Sequence, residues 1–161
     1  MSTLRWDDVA DLFDAQLVGS LPDGWVEGAT TVDDWQRVLD LVLTGPWRWQ
    51  VDGNALPTAA ELAARLDEPG SERPPVRVEV TPEGWVLLRC LSVDSIDFDL
   101  NVKAFQGQER LDALCDFLRS VGRAIGRSVW VGAEGSTADR MYGYDVTLDS
   151  TVRRAERPPW R

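Results

Sequence analysis

The segment SVDSIDFDLN, Ser92–Asn101, concentrates carboxylates that suit three kinds of chemistry. Aspartates at this density can ligate a metal ion, form an acid–base pair, or give one face of the chain a negative charge. Polar and apolar residues alternate through the segment, as in a strand with one buried side. The alternation predicts that Asp97 and Asp99 share one face and that Ile96, Phe98 and Leu100 are buried on the other.

A calcium loop is one interpretation of this segment, and the residue types disfavour it. Asp97, Asp99 and Asn101 match the first, third and fifth positions of such a loop. The sixth position, which needs glycine for a sharp turn, is Val102, and the twelfth is Gln108 instead of glutamate. We therefore predict no metal site here.

Other catalytic arrangements lack residues that they require. The chain has no histidine, which removes Ser-His and Cys-His nucleophile systems and imidazole metal sites. Its two cysteines, Cys90 and Cys115, do not have the spacing of zinc ligands. The sequence contains neither of the glycine-rich motifs that bind phosphate groups, G-x-x-x-x-G-K-[ST] and G-x-G-x-x-G. We predict no catalytic residue and no cofactor. The alternative is a carboxylate-dependent enzyme, which would need two carboxylates converging in a pocket.

The charge balance favours a basic protein partner. Asp and Glu total 27 against 17 Lys and Arg, which gives a net charge of −10 at pH 7. Such a field disfavours direct binding of nucleic acid and steers basic macromolecules toward the surface. Acidic residues crowd the N-terminal part, and those predicted to meet a partner there are Asp7, Asp11, Asp14, Asp33 and Asp34.

Tryptophan is abundant, with eight residues. Most lie in apolar patterns typical of a core, as do Trp6, Trp35, Trp47 and Trp49. Trp25 lies in LPDGWVEG, which is interpreted as a loop, and Trp160 lies in the terminal RPPWR; neither has apolar partners at a regular spacing. An exposed tryptophan is a preferred interface anchor, and we predict this role for Trp25. The alternative is a small-ligand site, in which exposed tryptophans stack on a sugar or an aromatic ring.

Hydrophobic periodicity predicts a single α+β domain over 1–161. Alternating residues predict an antiparallel β-meander over about 76–102, packed by a long helix over about 107–126 and followed by one or two further strands. Segment 149–161 is rich in arginine and proline and is interpreted as a C-terminal tail.

Helices are predicted in the N-terminal part. Apolar residues at helical spacing predict one helix from Trp6 to Leu17. In TVDD, Thr31 and Asp34 have the spacing of a capping box and predict the start of a second helix.

Apolar segment lengths, the N-terminal residues and the arginine content bear on where the protein is located and on its source. No segment approaches the roughly 20 consecutive apolar residues of a membrane span, and aspartates near the N-terminus do not suit a secretion signal. We expect a cytoplasmic protein that does not bind membranes. Arginine makes up nearly all of the basic residues, which is typical of a GC-rich bacterial genome.

In size, acidity and α+β build the chain resembles the immunity proteins of bacterial toxin systems. Those proteins bind a cognate toxin domain, often a basic nuclease, and block its active site or its access to substrate. The resemblance implies that the acidic N-terminal residues, together with Asp97 and Asp99, meet a basic toxin surface, with Trp25 as an anchor.

Overall fold

The structure, a computed structural model, describes residues 4–52, 55–70, 75–137 and 139–156. The α-helices of these residues are α1 (Trp6–Val9), α2 (Ala15–Val18), α3 (Val32–Thr44), α4 (Ala59–Leu66) and α5 (Gln108–Ile125). The strands are β1 (Asp23–Val26), β2 (Arg48–Gln50), β3 (Val76–Thr81), β4 (Gly84–Arg89), β5 (Asp97–Leu100), β6 (Val129–Gly132), β7 (Tyr142–Asp145) and β8 (Ser150–Arg153). The described strands join one antiparallel sheet in the order β2-β3-β4-β5-β1-β6-β7-β8. The predicted α+β class is confirmed.

The predicted meander and the long helix after it are also confirmed. Strands β3, β4 and β5 are consecutive neighbours in the sheet. Helix α5 follows and buries the apolar stripe that its spacing predicted, which comprises Leu111, Leu114, Cys115, Leu118, Val121 and Ile125. It ends at Ile125, and the next residue, Gly126, has a φ of 66°, the left-handed conformation that favours glycine after a helix.

Strand β5 has the register that its alternation predicted. Ile96, Phe98 and Leu100 are 1%, 3% and 0% exposed. The Phe98 ring meets Phe117 of α5 edge-on, with ring centroids 6.5 Å apart. Helix α3 packs beside α5, and its Trp35 donates a hydrogen bond from Nε1 to a backbone oxygen before β5. Helices α3 and α5 therefore lie on one face of the sheet and enclose the core.

The apolar spacing from Trp6 to Leu17 predicted one helix, and the structure divides it. Helix α1 runs into a 3₁₀ turn, Ala10–Phe13, and α2 then begins after Asp14. Asp14 has extended backbone angles, and its Oδ1 accepts a hydrogen bond from the Gln16 backbone N–H at 2.9 Å. Because aspartate stabilises the start of a helix better than its interior, Asp14 separates the two helices.

Helix α3 starts where the capping pattern predicted. The Thr31 hydroxyl accepts from the Asp34 backbone N–H at 3.2 Å, and the Asp34 carboxylate accepts from the Thr31 N–H at 3.0 Å. This reciprocal box satisfies two backbone donors that a helix start leaves unpaired.

Strand β1 lies in LPDGWVEG, so the interpretation of this segment as a loop is wrong. It occupies the middle of the sheet, between β5 and β6. Gly24 has a packing role in this strand, since a Cβ there would overlap the Phe98 ring. Glycine in a strand often marks such a close approach.

The segment interpreted as a tail, 149–161, begins with structure. Its residues Ser150–Arg153 form β8, which pairs with β7 at one edge of the sheet. Residues 157–161, including Trp160, lie outside the described residues.

Candidate functional site

The sheet face opposite α3 and α5 is the candidate site, and we call it the open face. Strand alternation places on it the side chains of β2, β3, β4, β5 and β1 that do not enter the core. Each of these side chains is exposed or half-buried. They are Arg48, Gln50, Arg77, Glu79, Trp85, Leu87, Arg89, Asp97, Asp99, Asp23 and Trp25.

Three carboxylates occupy the middle of the open face. Across the β5–β1 ladder Asp99 lies directly opposite Asp23, and Asp97 lies opposite Trp25. We call Asp23, Asp97 and Asp99 the acidic strip. The structure thus places together Trp25, Asp97 and Asp99 of the predicted site residues, and it adds Asp23.

Each carboxylate of the acidic strip has a defined neighbour. Asp99 pairs with Arg89, whose Nε lies 2.7 Å from Oδ2. Asp97 accepts a hydrogen bond from the Ser95 hydroxyl at 3.0 Å. Asp23 accepts one from the backbone N–H of Gly135 at 2.7 Å, in the connection between β6 and β7.

The environment of Asp23 raises the pKa of its carboxyl. Burial has the largest effect, because it disfavours the charged form, and the Asp99 carboxylate opposite adds to it. The hydrogen bond from Gly135 acts in the other direction. The strip therefore holds two interacting acids on neighbouring strands.

Trp25 stands at the edge of the uncovered part of the open face. Its neighbour across the β1–β6 ladder is Trp130, which is only 1% exposed although it lies on the same face. The guanidinium groups of Arg140 and Arg154 lie 5.0 and 5.5 Å from the Trp130 ring centroid and cover it. Trp25 itself is half-buried, so it presents part of its ring to a partner.

A groove lies at the other end of the open face, where β2, β3 and β4 meet. Its volume is about 490 Å³. Arg77 stacks on Trp85 there, with the guanidinium carbon 4.7 Å from the ring centroid. The groove is lined by Arg48, Trp49, Gln50, Arg77, Glu79, Glu83 and Trp85.

The other predicted site residues do not join the open face. Asp7 and Asp33 are exposed in the first turns of α1 and α3. Asp14 caps α2, and Asp34 is 7% exposed because it completes the capping box of α3. Asp11 forms a bidentate ion pair with Arg153 at 2.8 and 2.9 Å.

Sequence reasoning missed Asp23 because its strand was read as a loop. Once β1 is recognised, alternation alone places Asp23 and Trp25 on the face that carries Asp97 and Asp99. The Asp11–Arg153 pair joins distant parts of the chain and leaves no local signal in the sequence. The capping role of Asp34 was visible in its spacing from Thr31.

Chemical possibilities follow from these groups. Within the described ranges, no group of histidine, cysteine, aspartate or glutamate side chains is arranged to hold a metal ion. Cys90 and Cys115 are buried and are not joined in a disulfide. What the open face offers is charge, aromatic surface and hydrogen-bonding groups, which are the means of recognition.

Comparison of the chain with protein-family models, with curated proteins and with solved structures found no match in any of the three. In the part of the chain that the structure describes, no helix has the length and apolar content needed to cross a membrane.

Proposed function

We propose that the chain is a non-enzymatic, cytoplasmic binding protein, and that it acts as an immunity protein that neutralises a cognate bacterial toxin domain. The observation that carries this proposal is the acidic strip in the middle of the open face, with Trp25 beside it. A basic surface of the toxin would lie on the strip. The bound protein would then cover the toxin's active site or block its substrate.

The backbone under the acidic strip supports a docking role. Strands β1 and β5 are interior strands, each hydrogen-bonded to a neighbour on both sides. The positions of Asp23, Trp25, Asp97 and Asp99 are therefore set by ladder hydrogen bonds instead of by a loop. A partner that binds a preformed surface orders few groups, and this reduces the entropic cost of association.

The charge of the strip supports a basic partner. Arg89 pairs with Asp99, while Asp23 and Asp97 accept hydrogen bonds from neutral donors. The strip thus keeps a net negative charge within a chain of net charge −10. A lysine or arginine placed over it would gain charge-assisted hydrogen bonds, which are stronger than neutral ones.

The experiment measures binding kinetics against the product of the gene adjacent to this one, together with protection of cells from that product. We expect Asp97→Lys to slow association, because it reverses a charge on the docking face. Trp25→Ala is expected to speed dissociation by about 10-fold or more, since a buried aromatic anchor contributes about 2 kcal/mol. Far-ultraviolet circular dichroism and melting of each variant report whether it remains folded.

Asp7→Lys is the matched control. It changes the net charge by the same amount at an exposed residue away from the open face. If Asp7→Lys and Asp97→Lys slow association equally, the acidic strip is not the contact surface. If the adjacent product is not a toxin and does not bind, the immunity proposal is wrong.

A further inference from the structure

We propose that the groove between β2, β3 and β4 binds one end of a neutral oligosaccharide. This inference concerns residues outside the acidic strip and does not rest on the proposed toxin partner. The groove contains an aromatic platform, a ring of planar polar side chains and a balanced set of charges, and each of these selects for a different property of the ligand.

The aromatic platform is Trp85 of β4, which is half-buried near the β2 edge of the sheet. The Arg77 guanidinium lies over its ring, so a ligand meets the exposed part of the indole together with this guanidinium. Trp49 borders the groove from β2, and its side chain packs against the core on the other side of the sheet, where Val78 lies opposite. A half-exposed indole offers a flat apolar surface fixed by the strand below it. The ligand therefore needs a flat apolar face, which a pyranose ring provides through its C–H groups.

The polar lining selects for hydroxyl groups. Arg48, Glu79 and Trp85 form one row across the three strands, and Gln50 and Arg77 lie in the next row. Glu83 closes the groove from the β3–β4 turn. Guanidinium, amide and carboxylate groups each present two neighbouring hydrogen-bonding atoms, which suits adjacent hydroxyls on one ring.

These polar groups are available to a ligand. Among the described residues, the side chains of Arg48, Gln50, Glu79 and Glu83 make no hydrogen bond or ion pair. Arg48 and Glu79 are directly opposite in the β2–β3 ladder, yet their charged groups do not pair. The Arg77 guanidinium lies over the Trp85 ring, 4.7 Å from its centroid, and this contact restricts the side chain before a ligand arrives.

The charges of the groove select for a neutral ligand. Two arginines, Arg48 and Arg77, face two glutamates, Glu79 and Glu83. The groove is thus electrically balanced in a strongly acidic protein, and the acidic strip lies on the same face. A phosphate or sulfate group would be repelled by the surrounding field, and a cation would meet the two arginines.

The size of the groove supports one or two sugar rings. A volume of about 490 Å³ lies in the range of small-molecule sites. The groove lies on a sheet surface and is open on its outer side, so it suits the end of a chain that continues into solvent. An apolar ligand would leave the surrounding polar groups without partners.

The test uses saturation-transfer NMR and two-dimensional indole N–H spectra with four neutral disaccharides: maltose, cellobiose, lactose and N,N′-diacetylchitobiose. We expect at least one to bind and to shift the Trp85 indole signal. Trp85→Ala is expected to weaken that binding by about 10-fold or more, which corresponds to the loss of one stacked aromatic contact. Glu83→Gln, an exposed and isosteric change, is expected to weaken it by several-fold.

Trp25→Ala is the control, because it removes an indole from the same face outside the groove. It should leave saccharide binding unchanged. 3′-Sialyllactose tests the charge argument and should bind no more tightly than lactose. The proposal is overturned if no disaccharide of the panel binds, if binding survives Trp85→Ala in a folded variant, or if sialyllactose binds more tightly. None of these results affects the kinetic test of the acidic strip.

Discussion

The guanidinium of Arg153 joins the two ends of the described chain. It donates to both carboxylate oxygens of Asp11 and to the backbone oxygens of Asp8, Ala155 and Glu156, at 2.8–2.9 Å. These bonds use every N–H donor of the guanidinium. The side chains of Arg153 and Asp11 are each 10% exposed, so this pair is screened little by solvent.

We expect Arg153→Met to lower the free energy of unfolding by about 3–5 kcal/mol, because it removes the bidentate partner of a buried carboxylate. Arg153→Lys should also destabilise the folded protein, since a single ammonium group cannot form the bidentate pair that the guanidinium makes with Asp11. Arg123→Met is the control: its pair with Asp149 is exposed, and we expect a much smaller change. Urea denaturation measures all three, and equal costs for Arg153→Met and Arg123→Met would contradict the prediction.

Asp23 gives the protein a pH dependence of unusual sign. Because its pKa is raised in the folded state, the folded protein holds this proton more tightly than the unfolded chain. The stability that this carboxyl contributes is fully present below the ordinary aspartate pKa of 3.8, and it is lost as pH rises through the raised pKa of the folded state. We expect Asp23→Asn to increase stability at pH 7 by roughly 0.5 kcal/mol, since it removes a cross-strand pair of like charges and keeps an acceptor for Gly135.

Asp149→Asn is the comparison with the opposite sign. Hydrogen bonds from Arg123 and Tyr144 lower the pKa of Asp149 from 3.8 to about 2. Its contribution to stability is present above pH 3.8 and is lost as pH falls toward 2. Asp149→Asn should therefore lower the free energy of unfolding at pH 7. It should also reduce the loss of stability that the parent protein shows as pH falls below 3.8. Thermal melts between pH 2 and pH 8 measure both variants, and shifts of the same sign at pH 7 would refute this account.

At the scale of elements, the contact of α5 with the sheet depends on a glycine. Gly122 faces β7, where an added Cβ would overlap the Tyr144 ring and lie 2.8 Å from the Arg127 backbone oxygen. Gly126, at the end of the same helix, has no heavy atom within 4 Å of such a Cβ, but its φ is 66°. One glycine is required by packing and the other by backbone conformation.

We expect Gly122→Ala to destabilise by about 1–3 kcal/mol through overpacking, although alanine favours an isolated helix. Gly126→Ala should cost about 1 kcal/mol from backbone strain alone. Gly126→Asn should cost less, because asparagine tolerates the left-handed region. Urea titration measures the three variants, and a stabilising Gly122→Ala would show that α5 can move away from β7 without loss.

The elements that sequence predicted well are those with a long, uninterrupted period. The apolar stripe of α5 and the alternation of β3 and β5 fixed the meander, the helix above it and the side of the sheet on which Asp97 and Asp99 lie. Strand β1 was not predicted, because the reason for its Gly24 is the close approach of Phe98, a residue far along the chain. The helix predicted from Trp6 to Leu17 is divided, because Asp14 has extended backbone angles and caps the start of α2.

The same distinction applies to the site. The face of Asp97 and Asp99 followed from local alternation, whereas the pairing of Asp11 with Arg153 and of Asp23 with Asp99 depends on which segments the fold brings together. The structure separates residues with internal roles, Asp11 and Asp34, from those on the open face.

At the scale of the whole molecule, the net charge of −10 should govern the approach of a basic partner. We expect the association rate to fall by about 10-fold or more between low and physiological salt, and the dissociation rate to change little. Stopped-flow mixing with the adjacent gene product at several salt concentrations measures both rates. An association rate constant that does not change with salt concentration would exclude electrostatic steering.

The central position of β1 has a consequence for how the protein is made. Its two partners, β5 and β6, are synthesised long after it, and until β1 inserts between them each presents an unpaired edge that can aggregate. Weakening β1 should therefore reduce the yield of soluble protein in growing cells. Gly24→Val, which collides with Phe98, should drive newly made chains into inclusion bodies. Ala29→Val, at an exposed loop residue outside the left-handed region, should leave the soluble fraction much closer to that of the parent chain.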